Sequence, residues 1–365
     1  MKTLRLAVVG AGHLGRIHAR IAREQDAVEL AAVADPCESA RRLVAEQTGV
    51  RTVADYRALI EGASQQADVG PIDAAIVATP TTSHHQVAGR LLDAGVPVLV
   101  EKPMAATYAE AADLVERAAR ANLVLQVGHV ERYNPALATA APHLADPKYI
   151  VAERCSGYPG RSLDIGVVLD LMIHDIDVVL SLVRSPVKRV DALGISILGG
   201  NEDMANARIV FECGCVASLT ASRASYERRR SMQVYSARAF AALDFDAGTA
   251  TLVRPSETVL RRQLNAATLC AAAIGDLQQR LFDDVLVREQ VTSPAVNAIE
   301  EEQREFYRCI RTGDRPQVDG AAGRDALAVA EFVLGAINAH EWDGSDSGRS
   351  GPFAMPALPV LRPAA

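Results

Sequence analysis

The sequence predicts an α/β chain in two parts: an N-terminal domain built on a parallel sheet, then an α+β domain with an open, mostly antiparallel sheet. Three observations carry that prediction. To about residue 125, short β-branched runs alternate with helical stretches, the pattern of a parallel sheet covered on both faces. A glycine triplet in G-x-G-x-x-G spacing closes the first strand and opens the first helix. From about Tyr149 the rhythm changes to one helix and then strands parted by short turns such as "GGNED" and "CGC".

In order, the strand candidates of the first part are Leu4–Val9, Leu30–Ala34, Ala74–Ala78, Val98–Val100 and Val124–Val127. Helical stretches follow at about 15–24, 38–48, 84–94 and 108–121, the last with an explicit start signal, the capping box Thr107-x-x-Glu110. In the second part a helix at about 164–183 precedes strands at 187–198, 206–212, 215–223 and 230–236. Helices return at about 298–311 and 323–340. After Trp342, "DGSDSGRSGP" and further prolines have little helix or strand propensity, so 341–365 is expected to be an irregular tail.

Composition narrows the function. Of the 365 residues 49% are hydrophobic, ample for folded cores, and a net charge of −7 argues against a general nucleic-acid or anionic-membrane surface. No uninterrupted apolar stretch approaches the roughly 18 residues that suggest a membrane helix. The six cysteines (37, 155, 213, 215, 270, 309) are too sparse for a disulfide scaffold, and reduced thiols in the cytoplasm are the expectation.

The glycine loop is the first chemical signal. Gly10 allows a tight turn, Gly12 lets backbone approach a pyrophosphate, and Gly15 lets helix pack on strand. The N–H groups that open the helix, around His13 and Leu14, then face the phosphates with partial positive charge. Asp35, twenty residues past Gly15, follows the second strand, where an acidic side chain accepts the ribose hydroxyls of NAD and repels a 2′-phosphate. Nearby Arg41 and Arg42 leave NADP use open. The bland alternative is a glycine-rich turn that lost its ligand.

"VLVEKP" puts Glu101, Lys102 and Pro103 at the C-terminal end of a buried strand, the edge at which open α/β sheets bind ligands. A lysine there hydrogen-bonds a substrate hydroxyl and favours its developing negative charge; the competing reading is a surface lysine before a turn. "LDLMIHDIDVVL" (169–180) carries polar groups through an apolar helix. Asp170 and His174 are spaced i, i+4 and share a face, so His174 can act as general base while Asp170 fixes its tautomer or binds substrate. Asp175 and Asp177 fall on other faces, expected to be solvated or bonded to backbone.

Taken in order and spacing, the glycine loop, "EKP", "ATPTTSHH" (78–85) and "GVVLDLMIHDID" resemble the glucose–fructose oxidoreductase/inositol dehydrogenase (Gfo/Idh/MocA) family over residues 1 to about 340. The resemblance implies an N-terminal Rossmann NAD(P)-binding domain, assigned here to 1–126, and a substrate-binding and oligomerisation domain at 127–340. It implies hydride transfer between nicotinamide and a secondary alcohol or ketone of a sugar, with Lys102, Asp170 and His174 catalytic. Thr79, Pro80, His84, Glu101 and Lys102 join the glycine loop and Asp35 as cofactor-binding positions, and a homodimer or homotetramer is expected. One departure is "DIGVVLD", where many members have a Gly-Gly pair and only Gly166 remains.

Within the family, "VGHVERYNPA" (127–136) with "RASYERRRS" (223–231) looks most like UDP-N-acetylglucosamine 3-dehydrogenases, which makes His129, Arg132, Asn134, Arg228 and Arg230 candidate substrate contacts. Arginines can meet a diphosphate through charge-assisted bonds, although a solvated strand edge explains the run equally well. The rival functions are a free-sugar or inositol dehydrogenase and a non-catalytic NAD-binding sensor. No metal is expected: "ECGCV" reads as a hairpin turn at Gly214. His18 is given no chemistry.

Overall fold

A computed structural model describes residues 3–60, 69–158, 165–198, 200–292, 296–342 and 350–352. Two compact units form: Met1–Tyr133 with Val296–Ala328, and Asn134–Ala295 with Val329–Ala365.

The first unit is built on a six-stranded sheet in the order β3-β2-β1-β4-β5-β6. Its strands are β1 (Leu4–Val9), β2 (Val28–Ala34), β3 (Thr52–Val53), β4 (Ala74–Val77), β5 (Val98–Glu101) and β6 (Leu125–Gly128), all paired in parallel. β4 and β5 are buried along their whole length, so they read as unbroken apolar runs rather than alternating ones. The intervening helices are α1 (His13–Arg23), α2 (Glu38–Thr48), α3 (Thr81–Asp93) and α4 (Tyr108–Ala121). The capping signal of α4 is realised: Thr107 Oγ1 accepts from Glu110 N at 3.3 Å, and the Glu110 carboxylate reaches back to Ala106 N at 3.0 Å.

The second unit opens with α5 (Pro135–Ala140) and β7 (Pro147–Cys155), then a π-turn at Val168–Met172 that runs into α6 (Ile173–Val183). Strands β8 (Val187–Ile195), β9 (Met204–Phe211), β10 (Val216–Ser222), β11 (Arg229–Ser236), β12 (Phe240–Asp244) and β13 (Thr249–Pro255) follow. After α7 (Glu257–Leu260) and α8 (Ala271–Arg280), β14 (Leu286–Thr292) completes an eight-stranded sheet ordered β14-β13-β12-β11-β7-β10-β9-β8. Only β7 and β10 pair in parallel. The buried face alternates as a half-covered sheet should: Ala205, Ala207, Ile209 and Phe211 on β9 face inward with Ala217, Leu219 and Ala221 on β10. β8 to β11 occupy the predicted spans. β12 to β14 were not predicted, because segments as short as "FAALD" give little periodic signal on their own.

The chain then returns to the first unit. α9 (Ala298–Thr312), capped by Asn297 Oδ1 on Ile299 N at 3.2 Å, delivers Phe306 and Tyr307 to a core that includes Leu6, Ile76 and Leu99. Val127 N donates to Val318 O at 2.9 Å and Gln126 bridges Asp319, so the outer edge of β6 is covered. This division differs from a single span at 127–340, since nothing local in the sequence reveals that 296–328 packs on the first sheet. The unit boundary falls within α10 (Gly320–Ala339). Of the expected irregular tail, Glu341 bridges Ser350 and Trp342 Nε1 donates to Gly351 O at 3.0 Å; residues 343–349 and 353–365 lie outside the described residues. Among the described residues no helix is long and apolar enough to cross a membrane.

Candidate active site

Parallel strands end together, so the loops after β1, β2, β4, β5 and β6 share one edge of the first sheet, and the predicted cofactor residues lie on them. Gly10 adopts φ +104°, and a Cβ there would sit 2.4 Å from Ala78 O. A Cβ on Gly15 would fall 1.9 Å from Gly10 O, whereas one on Gly12 meets nothing within 4 Å. The first and third glycines are therefore demanded by packing, and the second faces open space of the kind a phosphate needs. Gly12 gives α1 no side-chain cap, and His13 beside it is exposed while Leu14 is half-buried. The Asp35 carboxylate is fixed by two backbone donors, Ala11 N at 2.7 Å and Cys37 N at 2.8 Å. Arg41 is tied back to the carbonyls of Asp35 and Pro36 at 2.7 and 2.9 Å.

After β4, the Thr79 hydroxyl is buried and has no partner among the described residues, a donor left for a bound group; Pro80 is exposed and caps α3. These features fit NAD. His84 ties two loops together, with Nδ1 2.8 Å from Pro103 O and Nε2 2.8 Å from Thr79 O. Burial pushes its pKa down, against the opposing pull of those two carbonyls. Glu101 ends β5 nearly buried, and Lys102, half-buried, follows with its backbone N–H 3.2 Å from Glu101 Oε2.

Of the candidates after β6, His129 is 1% exposed and its pKa is pushed down to about 3 by burial, then by the charges of Lys102 and Arg132, so it stays neutral near pH 7. Arg132 donates to Gln317 O at 3.2 Å. Asn134 turns out to be a structural cap: Oδ1 accepts from Ala136 N at 3.0 Å and Nδ2 donates to Phe245 O at 2.9 Å. These bonds use one acceptor position and one N–H of its amide.

In the second unit, Asp170 lies within the π-turn and His174 one turn later at the start of α6, both half-buried. A π-turn inside a helix is a feature often found at functional sites. Gly166 explains its own retention: a Cβ there would lie 1.9 Å from Glu202 Oε1, and that oxygen accepts from Val168 N at 3.1 Å. Asp175 is not solvated, as the sequence suggested. It is 2% exposed and forms a two-pronged pair with buried Arg154, at 3.0 and 2.7 Å. Asp177 is equally buried. A second buried pair joins Arg223 Nε to Asp203 Oδ1 at 2.7 Å, and Arg223 also holds the Ile165 carbonyl at 2.8 Å. These pairs flank the segment that presents Asp170 and His174.

The arginine run is neither an edge nor an open cationic patch. β11 lies inside the sheet, flanked by β12 and β7. Arg228 pairs with Asp246 at 2.9 and 2.6 Å, Arg229 with Glu153 at 2.7 Å, and Arg230 Nε lies 3.6 Å from Asp246 Oδ1. The "ECGCV" segment is the expected hairpin, with Gly214 at φ +84° and both thiols free. The sequence reading missed His18, which is wholly buried 2.7 Å from Glu101, and Gln303, which meets it from α9. The only sequence signal was their position on otherwise apolar helix faces.

The strand order, glycine turn and ribose-side aspartate define a dinucleotide-binding oxidoreductase. The chain belongs to the Gfo/Idh/MocA oxidoreductase family: residues 4–129 match "Oxidoreductase family, NAD-binding Rossmann fold" and residues 152–241 match "GFO/IDH/MocA C-terminal domain". It is 32% identical over 338 residues to UDP-N-acetylglucosamine 3-dehydrogenase of Acidithiobacillus ferrooxidans, covering 92% of this chain and 98% of that one. The solved structure of that enzyme superposes with a TM-score of 0.78 at 31% identity. Myo-inositol 2-dehydrogenase of Thermotoga maritima is 25% identical over 89% of this chain and 94% of its own. A levoglucosan dehydrogenase in complex with NADH and levoglucosan shares the fold, with a TM-score of 0.76 at 16% identity over 92% of this chain and 97% of that one. The protein is thus an NAD-dependent oxidoreductase of the sugar-dehydrogenase kind.

Proposed function

We propose that the protein oxidises the 3-hydroxyl of a nucleotide sugar, UDP-N-acetylglucosamine, with NAD. The observation that carries this reading is the near end-to-end match, 92% of this chain and 98% of the relative, to an enzyme of that name. NAD, when bound, supplies the hydride acceptor. His174 takes the hydroxyl proton as the carbinol hydride leaves, and Asp170 holds the imidazole or the sugar. Lys102 orients the reacting oxygen and stabilises its developing charge. His129, neutral and buried, and Arg132 are proposed to line the sugar side, and Arg228 and Arg230 to meet the diphosphate by exchanging Asp246 for it.

The test is NADH formation with UDP-N-acetylglucosamine, with a ketone trap to draw the uphill oxidation forward. Turnover that disappears with N-acetylglucosamine supports the nucleotide-sugar reading; equal turnover with both removes it. A second reading, a free-sugar or cyclitol dehydrogenase, is favoured by one observation: the arginines are already neutralised by Asp246 and Glu153. It predicts that UDP neither binds nor inhibits. We further propose a cytoplasmic homodimer or homotetramer formed through the sheet face that exposes Tyr149 and Tyr235, to be checked by light scattering of wild type and Tyr235→Arg.

A further inference from the structure

We propose that His18 and Gln303 are positioning residues that lock the Glu101 carboxylate, and with it the backbone at Lys102, in one orientation. The proposal rests on the reading of Lys102 as a catalytic group.

It begins with a hydrogen-bond inventory. A glutamine amide offers two N–H donors and one oxygen with two acceptor positions. The Gln303 nitrogen lies 2.9 Å from His18 Nδ1 and 3.2 Å from the His18 carbonyl oxygen. Its oxygen accepts from Tyr307 OH at 2.9 Å and from Gln25 Nε2 at 3.1 Å. All four positions are used, and turning the amide over would set its oxygen against the His18 carbonyl. Gln303 therefore donates to Nδ1, which leaves the only ring hydrogen of His18 on Nε2.

That hydrogen is the one that reaches Glu101 Oε1 at 2.7 Å. The other carboxylate oxygen accepts from Lys102 N at 3.2 Å. Gly128, paired with Glu101 across the sheet, makes the space: a Cβ there would lie 2.9 Å from Glu101 Oε2. A helix more than two hundred residues downstream thus selects a tautomer that aims a carboxylate beside the catalytic lysine.

The groups around the lock agree with it. Glu302 from α9 belongs to the same buried cluster: a carboxyl oxygen of Glu302, one of Glu101 and a ring nitrogen of His18 lie within 4.8 Å of one another. Burial, and then the charges of Glu101 and Glu305, push its pKa well above the carboxylate range, so Glu302 is the member that keeps its proton. Burial opposes ionisation of Glu101, but the hydrogen bond from His18 and the nearby charge of Lys102 favour it, and its pKa is lowered.

The tautomer is read directly from the ring nitrogen shifts in a 15N–1H NMR experiment on the full chain. The expected result is a single Nε2–H form of His18, with Nδ1 carrying no hydrogen. A ring that carries a hydrogen on Nδ1 overturns the lock whatever the activity. His18→Leu is expected to lower kcat about a hundredfold, the effect of a misplacement of about 1 Å, with a much smaller change in KM for NAD. His18→Gln, whose amide can donate where Nε2–H did, restores most of it. A folded His18→Leu protein with wild-type kcat overturns the positioning role; if that variant does not fold, Gln303→Leu carries the same readouts. Should the wild type turn over no sugar at all, the proposed function fails while the NMR result still decides the lock.

Discussion

The two units keep polar groups out of water by different chemistry. Around Glu101 in the first unit, Gln25, Gln303, Tyr307 and His18 are joined by hydrogen bonds from one to the next. In the second unit the buried carboxylates of Asp175 and Asp203 meet arginines that are themselves 2% exposed. An ion pair tolerates little loss, because removing one partner strands a charge. A neutral chain loses less when cut, but its direction depends on which atom holds each hydrogen. Strength without direction, and direction with less strength, are placed beside the two parts of the proposed machinery.

Five measurements test that contrast, in descending order of effect. His174→Ala is expected to lower turnover by about two to four orders of magnitude while NAD affinity, followed by fluorescence titration, stays near wild type. A matching loss of NAD affinity would remove the general-base role. Arg154→Met, which strands Asp175, is expected to cost about 3–5 kcal/mol in urea denaturation, and the double change with Asp175→Leu to recover much of it. If the single variant loses under about 1 kcal/mol, the pair does not carry the second unit as described.

The third measurement is stability against pH. His129 is depressed to about 3 from an ordinary 6.5, so between those values the unfolded chain binds more protons and acid destabilises the fold. The loss is about 1.4 kcal/mol per pH unit below 6.5, and His129→Gln should abolish it. Glu302 runs the other way: its raised pKa makes the folded chain the better proton binder above the ordinary 4.5, so stability falls as pH rises, and Glu302→Gln should flatten that limb. Fourth, Tyr307→Phe removes one neutral donor from Gln303 and is expected to cost only about 1 kcal/mol, well below Arg154→Met. Last, Arg228→Ala breaks a pair whose arginine is 64% exposed, so stability should move by less than about 1 kcal/mol. The same variant should raise KM for a UDP-sugar if the diphosphate reading holds, and leave it unchanged if free sugars are the substrate.

What could be read in the sequence follows the same divide. Gly10, Gly12 and Gly15 lie on one strand–turn–helix unit and Asp35 at the end of the next strand, so spacing within one β-α-β unit was enough to single them out as candidates. The i, i+4 spacing of Asp170 and His174 was legible for the same reason. Asp175, expected to be solvated or bonded to backbone, pairs with Arg154 on β7, which lies 21 residues away, and Asn134, read as a substrate contact, caps the helix that follows it. The arginine run was read as a diphosphate contact or a solvated strand edge, and its pairing with Asp246 and Glu153 was hidden because those partners lie elsewhere in the sequence. His18 and Gln303 are separated by almost the whole chain, and no pattern within either helix points to the other.

The return of α9 also sets an order of events during synthesis. Phe306 and Tyr307 belong to the same core cluster as Leu6, Ile76 and Leu99, so the first unit's interior is incomplete until residue 307 has emerged from the ribosome. The 162 residues between Tyr133 and Val296 take about ten to thirty seconds to translate at about 5–20 residues per second. Throughout that interval the sheet, already flanked by α1 and α2, lacks the Phe306 and Tyr307 side chains that complete its core. A fragment ending at Tyr133 is therefore expected to be less stable than the unit closed by α9.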